Sequence, residues 1–373
     1  MRVECYEKLQ NGIVLQTTRG LVKVEVWADH ILRVVYTLEE EFSQEKGPMV
    51  IGAAEQGLNW RLEAEQDLLK IKTNEIELHI DRANCAFKYY DLEGNLLAQE
   101  PARGGKELSP APNGQAYQWK LGFEWSEDEA IYGLGSYEEG ILNYRGHTQY
   151  MYQQNMRCVV PVFLSTNGYG VLFDSYSLMI FRDDVHGSYV WSESNDEMDY
   201  YFIYGPEFDQ VVAGYRALTG QVPMFPKWLF GYIQSKERYQ SQAELISVVQ
   251  EYRQREIPLD CIVLDWMSWE GNLWGQKSLD PARFPAPEKM MDQLHALNVR
   301  LMVSVWPHME NNGPNQLEMK KHGYLLGDQS TYNAFNKQAR EMYWRQADEG
   351  LFSKGIDAWW CDSTEPFEAD WQG

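Results

Sequence analysis

Basic residues are scarce in this 373-residue chain: 33 lysines and arginines stand against 55 aspartates and glutamates, a formal charge of −22. A surface of that sign repels phosphate backbones, so nucleic acid is excluded as an expected partner. Cysteine is sparse too. Cys5, Cys85, Cys158, Cys261 and Cys361 are scattered with no CxxC spacing, which argues against a zinc site or a disulfide framework. No HxH or HExxH spacing occurs, so a metal ion on Asp265, Asp362 and His308 is not expected. No apolar run approaches the length of a membrane span, and Met1 to Lys8 holds no apolar signal core. The expectation is a reduced, cytoplasmic setting with no membrane and no cofactor.

What the chain has is length for two domains, enough apolar residues (44%) for real cores, and an abundance of tryptophan, 14 in all. Up to about residue 205, short alternating or β-branched runs are punctuated by Gly, Asn and Asp. Leu21 to Val26, Ile31 to Tyr36, Leu69 to Thr73, Ile76 to Ile80 and Gly170 to Asp174 are examples. Such spacing predicts an antiparallel β-sandwich. Phe208, Val211, Val212, Tyr215 and Leu218 fall at helical spacing before Gly220, and Pro223 to Pro226 reads as a linker. The expected domains are therefore 1–224 and 225–373.

Beyond the linker the period changes. Apolar strands are expected at Leu229 to Gln234, Leu259 to Asp265, Arg300 to Trp306 and Ile356 to Asp362. Helical patterns lie between them: one capped by Ser241 with Glu244 completing a capping box, one over Pro287 to Leu297, and one over Gln338 to Ser353. Four βα repeats with near-continuous apolar strands imply a parallel sheet covered by helices, and so the first half of a (β/α)8 barrel. The fold class is thus α/β plus all-β. A doubly wound open sheet is the alternative, but no GxGxxG follows the first strand.

Polar and aromatic residues gather where each strand ends, the face on which barrels build active sites. Glu237, Asp265, Asp362 and Glu365 are there, with Lys236, Arg238 and His308. Carboxylates in a tryptophan-lined pocket suit glycosidic bond cleavage: one stays ionised to attack, another carries a proton. Asp362, on a rigid strand end, is the candidate nucleophile, and Asp265 a charged acceptor for sugar hydroxyls. Glu365 before Pro366 could equally order its loop or support the chemistry. Trp266, Trp269, Trp306 and Trp360 are candidate pocket walls, since an indole stacks a sugar face and donates one hydrogen bond. Trp228 and Trp344 read as core packing, and Cys361 as a small buried side chain.

Assembled in order, these segments resemble glycoside hydrolase family 31, in particular its α-xylosidase branch. The resemblance rests on Gly231 to Tyr239, Ile257 to Asp260 with Val263 to Trp266, Asp280 to Pro285, Val303 to Pro307, Ala358 to Pro366 and, upstream, Tyr132 to Gly135. It implies a retaining exo-α-glycosidase acting on α-xylosides, with Asp362 as nucleophile, Asp265 holding hydroxyls, and Trp306 and Trp360 walling that subsite. α-Glucosides and α-galactosides fit the same residues. Glu237 falls where the family varies a specificity residue, and Gln154 and Asn155 where a sandwich loop reaches the pocket. The family's acid/base Asp lies several strands beyond the nucleophile, and the sequence to Gly373 contains no counterpart. The expectation is the first half of an active site, inactive as it stands. A carbohydrate-binding module that never catalyses is the reading from another class, and open sheet edges lead to an expected homo-oligomer.

Overall fold

Period-two alternation shapes the first part of the chain. In the computed structural model, which describes residues 1–44, 47, 49–112, 114 and 116–364, the strand Gly20–Ala28 buries Val22, Val24 and Val26 and leaves Lys23 and Glu25 partly exposed between them. Strands of this kind assemble three antiparallel sheets, one of eight strands and two of five. They share one core that draws Val24 from the first sheet, Trp119 from the second and Ile71 from the third. The expected sandwich is thus a three-sheet β unit spanning Met1–Val222, its boundary slightly ahead of the expected one. The Tyr132 to Gly135 motif lies on Ile131–Ser136, a bulged strand at the edge of the eight-stranded sheet.

The helix Phe208–Thr219 closes this unit. Val211 and Leu218 are buried against Ile31, Leu172 and Ile203, whereas Phe208 and Val212, expected in the apolar stripe, are exposed. The stripe is narrower because Gly214 sits at its centre. A Cβ there would stand 2.5 Å from the Ile203 Cγ2, so the missing side chain is what lets helix and sheet come this close.

The second unit, Pro223–Gly373, carries a parallel sheet of four strands: Ile233–Gln234, Cys261–Leu264, Arg300–Val305 and Ala358–Cys361. Their order in the sheet is their order in the chain, a singly wound arrangement that the doubly wound alternative would have to reverse. Between them lie the helices Gln242–Gln254, Pro287–Ala296 and Lys337–Gly350. Leu245, Val249, Met290, Met291 and Leu294 of the first two pack on Ile262, Leu264, Leu301, Val303 and Val305. The opposite, inner face holds Cys261, Val263, Met302 and Ala358. Among the described residues the first and fourth strands each pair on one side only.

Three local expectations differ. The first strand is two residues long, because Lys227–Phe230 winds into a 3-10 turn behind Pro226. Gly231 then lies so close to Asp260 that a Cβ would meet its carboxylate, and Asp260 Oδ2 takes the Tyr232 N–H at 3.2 Å where a strand neighbour would. Ser241 caps its helix by accepting the Glu244 N–H at 3.2 Å, but the Glu244 carboxylate accepts from the Gln240 N–H at 2.7 Å rather than from the cap residue. The helix Pro314–Lys321 is additional. Only Gln316 and Met319 are buried on it, so it carries no apolar period to be read.

Candidate active site

Strand alternation selects which side chains meet on the inner face. Ile262, Leu264, Val303, Val305 and Trp359 point to the helices, so Asp265, Ser304, Trp306, Trp360 and Asp362 fall on the other side by parity. Asp362 directly follows the fourth strand, and its N–H still donates to Val305 O at 3.0 Å, extending the ladder by one residue. The chain then turns through Ser363 at φ 50. The Ser363 N–H donates to Asp362 Oδ1 at 2.9 Å. Asp362 Oδ2 lies 3.3 Å from the Oγ of buried Ser304, and that Oγ lies 3.0 Å from the Trp306 indole nitrogen.

An aromatic wall stands beside this carboxylate. Trp306 is buried, and its carbonyl accepts from the Tyr343 hydroxyl at 2.9 Å. Trp274 meets Trp306 edge-on, with centroids 5.2 Å apart and planes at 89°, and lies 5.0 Å from Trp266. Trp269 stands behind it, 2% exposed, which makes it core rather than pocket wall. Trp360 is exposed, and its backbone is paired in register with Ser304. Trp344, expected in the core, is exposed on its helix and meets Trp359 edge-on at 6.3 Å. Trp228 is half-buried against the inner-face cluster. Cys361 is exposed rather than buried, yet partial enclosure still pushes its thiol up, the wrong direction for a nucleophile.

Asp265 ends the second strand half-buried, its Oδ1 accepting the Trp266 N–H at 2.8 Å. The Trp266 indole N–H donates to Glu237 Oε1 at 3.3 Å, and the Arg238 guanidinium lies 5.8 Å from the same ring. The structure thus joins Glu237, Arg238 and Trp266. Lys236 turns elsewhere: its ammonium pairs with Glu244 at 3.1 Å, holding the start of a helix. His308 also serves its own loop, with Nδ1 3.2 Å from Thr331 Oγ1 and Nε2 2.8 Å from Glu310. Among the described residues no group of three His, Cys, Asp or Glu side chains is placed to hold a metal ion. Asn155 and Gln154 lie in the first unit, between the strands Thr148–Met151 and Cys158–Ser165, with Asn155 exposed. Glu365 lies outside the described residues.

Behind the aromatic wall sits Lys277, 2% exposed. Its ammonium reaches Gly275 O and Met309 Sδ, each at 3.3 Å, and lies 4.1 Å from the Tyr343 ring centre. Burial pushes its pKa down to about 7. Sequence reading passed over Lys277, Trp274 and Ser304. Only Ser304 left a trace: it lies two residues before Trp306 on an alternating strand, so parity alone puts it beneath that indole.

Residues 222–373 match the model of the glycosyl hydrolases family 31 TIM-barrel domain, and residues 21–181 that of the glycosyl hydrolase 31 N-terminal galactose mutarotase-like domain. An alpha-xylosidase of Saccharolobus solfataricus is 35% identical over 92% of this chain and 48% of its own length. An uncharacterized family 31 glucosidase of Pseudescherichia vulneris is 28% identical over 95% of this chain and 73% of its own length. Among solved structures, a family 31 alpha-xylosidase from a soil metagenome complexed with xylose is similar with a TM-score of 0.90 at 26% identity, covering 97% of this chain and 58% of that one. The alpha-xylosidase of Xanthomonas citri shares the fold at a TM-score of 0.89 and 23% identity, over 96% of this chain and 58% of that one. The chain spans about half the length of the first of these relatives.

Proposed function

Because this chain belongs to glycosyl hydrolase family 31, we propose that it supplies the nucleophile side of a retaining exo-α-glycosidase, with α-xylosides as substrates and Asp362 as the attacking carboxylate. The observation that carries this reading is the position of Asp362: it directly follows the fourth parallel strand, and its carboxylate lies 3.3 Å from the Ser304 Oγ that also accepts from the Trp306 indole. An ionised carboxylate fixed there attacks the anomeric carbon as the glycosidic C–O bond breaks. The leaving oxygen needs a proton from a second carboxyl group, and water then releases the sugar from its aspartyl ester. Asp265 accepts hydroxyls of the bound sugar, the indoles flank its ring, and the Glu237, Arg238 and Trp266 group borders it. The xyloside assignment is supported by the Saccharolobus solfataricus relative and the xylose complex. An alpha-glucosidase of Saccharolobus solfataricus, 28% identical over 58% of this chain, supports an α-glucoside reading.

Asn155 as a loop contributor and Glu365 as a supporting carboxylate belong to the same proposal through family likeness. All five cysteines are free, which supports a cytoplasmic setting, and no helix among the described residues is long and apolar enough to cross a membrane.

The test uses the full-length protein bearing this chain, assayed on aryl α-xyloside, α-glucoside and α-galactoside. The xyloside is expected to give the highest kcat/KM. Asp362→Ala should abolish turnover, and azide should restore it with formation of the β-glycosyl azide. Retained activity in Asp362→Ala would overturn the nucleophile assignment, and preference for the glucoside would move the substrate class.

A further inference from the structure

Ser304 stands among Val303 and Val305, where apolar residues fill the strand, yet it is 4% exposed and polar. Its Oγ lies between two partners of opposite kind. The Trp306 indole nitrogen, 3.0 Å away, can only donate; an ionised Asp362, with Oδ2 at 3.3 Å, can only accept. A hydroxyl has one proton and two lone pairs, so the direction of both bonds is fixed. Ser304 accepts from Trp306 and gives its single proton to Asp362.

We propose that Ser304 is a positioning residue for Asp362, a relay that orients the nucleophilic carboxylate through the hydroxyl it shares with the Trp306 indole. The role rests on the reading of Asp362 as nucleophile. The far end of the relay is anchored: the Trp306 carbonyl is held by the Tyr343 hydroxyl at 2.9 Å and its ring meets Trp274 edge-on. The near end complements the Ser363 N–H on Oδ1 at 2.9 Å. Each carboxylate oxygen therefore has a donor of its own, and the carboxylate plane is set by the third strand on one side and the terminal turn on the other. Donors to the charged form favour ionisation, and a nucleophile misplaced by a fraction of an ångström loses rate.

A purely structural role is the competing account, in which Ser304 only satisfies the buried Trp306 N–H. The two separate in the full-length protein. Ser304→Ala is expected to lower kcat roughly 10-fold with KM little changed, as loss of a hydrogen bond to a charged group predicts. The acid limb of its kcat/KM profile should move up by about one pH unit. Ser304→Thr, which keeps the hydroxyl, should recover most of the rate, and Ser304→Cys should fall between. In a Trp306→Phe background, where no indole N–H needs an acceptor, Ser304→Ala should still raise the acid limb. An unmoved limb there, or Ser304→Thr no better than Ser304→Ala, overturns the relay while leaving the nucleophile in place. Full activity in Asp362→Ala removes the nucleophile reading, and the role of Ser304 with it. Thermal unfolding of each variant identifies any that fail to fold, in which case the Thr and Cys variants carry the comparison.

Discussion

The Trp266 indole N–H and the Glu237 carboxylate lie 3.3 Å apart, joining the segment after the first barrel strand to the segment after the second. Glu237 is exposed, so this bond is what gives its side chain a direction.

Removing that acceptor should act on binding more than on chemistry. Glu237→Ala is expected to raise KM for the preferred aryl α-glycoside about 5- to 10-fold with kcat nearly unchanged, whereas Glu237→Gln keeps an acceptor for the indole and stays near the parent value. Steady-state kinetics on the parent and the two variants decides it. Equal KM values across the series would remove Glu237 from the sugar site.

Lys277 makes stability depend on pH in an unusual direction. Its pKa is near 7 in the folded chain against an ordinary 10.5, because burial disfavours the ammonium. Between those values the unfolded chain keeps a proton that the folded chain has released, so stability rises as pH rises across the window. The folded state below pH 7 bears the full cost of enclosing the cation, offset in part by the Tyr343 ring at 4.1 Å. Lys277→Met, similar in volume and uncharged, should raise stability near pH 6 by roughly 1–3 kcal/mol and flatten the slope from pH 7 to pH 10. Urea unfolding at several pH values measures both; parallel curves for parent and variant would contradict the assignment.

Gly214 reverses a common rule. Alanine normally favours a helix interior over glycine by about 1 kcal/mol. Here a Cβ would stand 2.5 Å from Ile203 Cγ2, and overpacking of that kind costs about 1–3 kcal/mol. Gly214→Ala should therefore lower the melting temperature of the N-terminal unit. A higher one by calorimetry would mean that the helix can lift off the sheet without penalty.

These cases mark where sequence reading reached and where it stopped. The barrel strands were legible because buried parallel strands are apolar throughout, and the carboxylates at their ends broke that pattern. Tryptophans were harder, because residue type does not tell wall from core: Trp269 is enclosed and Trp360 open. His308 and Lys236 have the chemistry of ligand-binding groups, but Glu310 and Glu244 engage them first. Such partners are neighbours in space as much as in sequence. Lys277 and Trp274 sit in a loop with no period, and nothing in their spacing announced a buried cation or a ring between two others. The first strand was overestimated because Asp260, a side chain, replaces a backbone partner.

Parity on the last strand has an evolutionary corollary. Trp359 packs with the helix-side core while Trp360 and Asp362 take the other side. Losing or gaining a single residue within Ala358–Cys361 would exchange the two sets, sending the acid toward the helices and the thiol onto the inner face. Indels are thus forbidden across these four positions, whereas the exposed stretch from Glu310 to Asn312 has freedom to lengthen. Diversification of such an enzyme must proceed by reshaping its rims around a strand of invariant length.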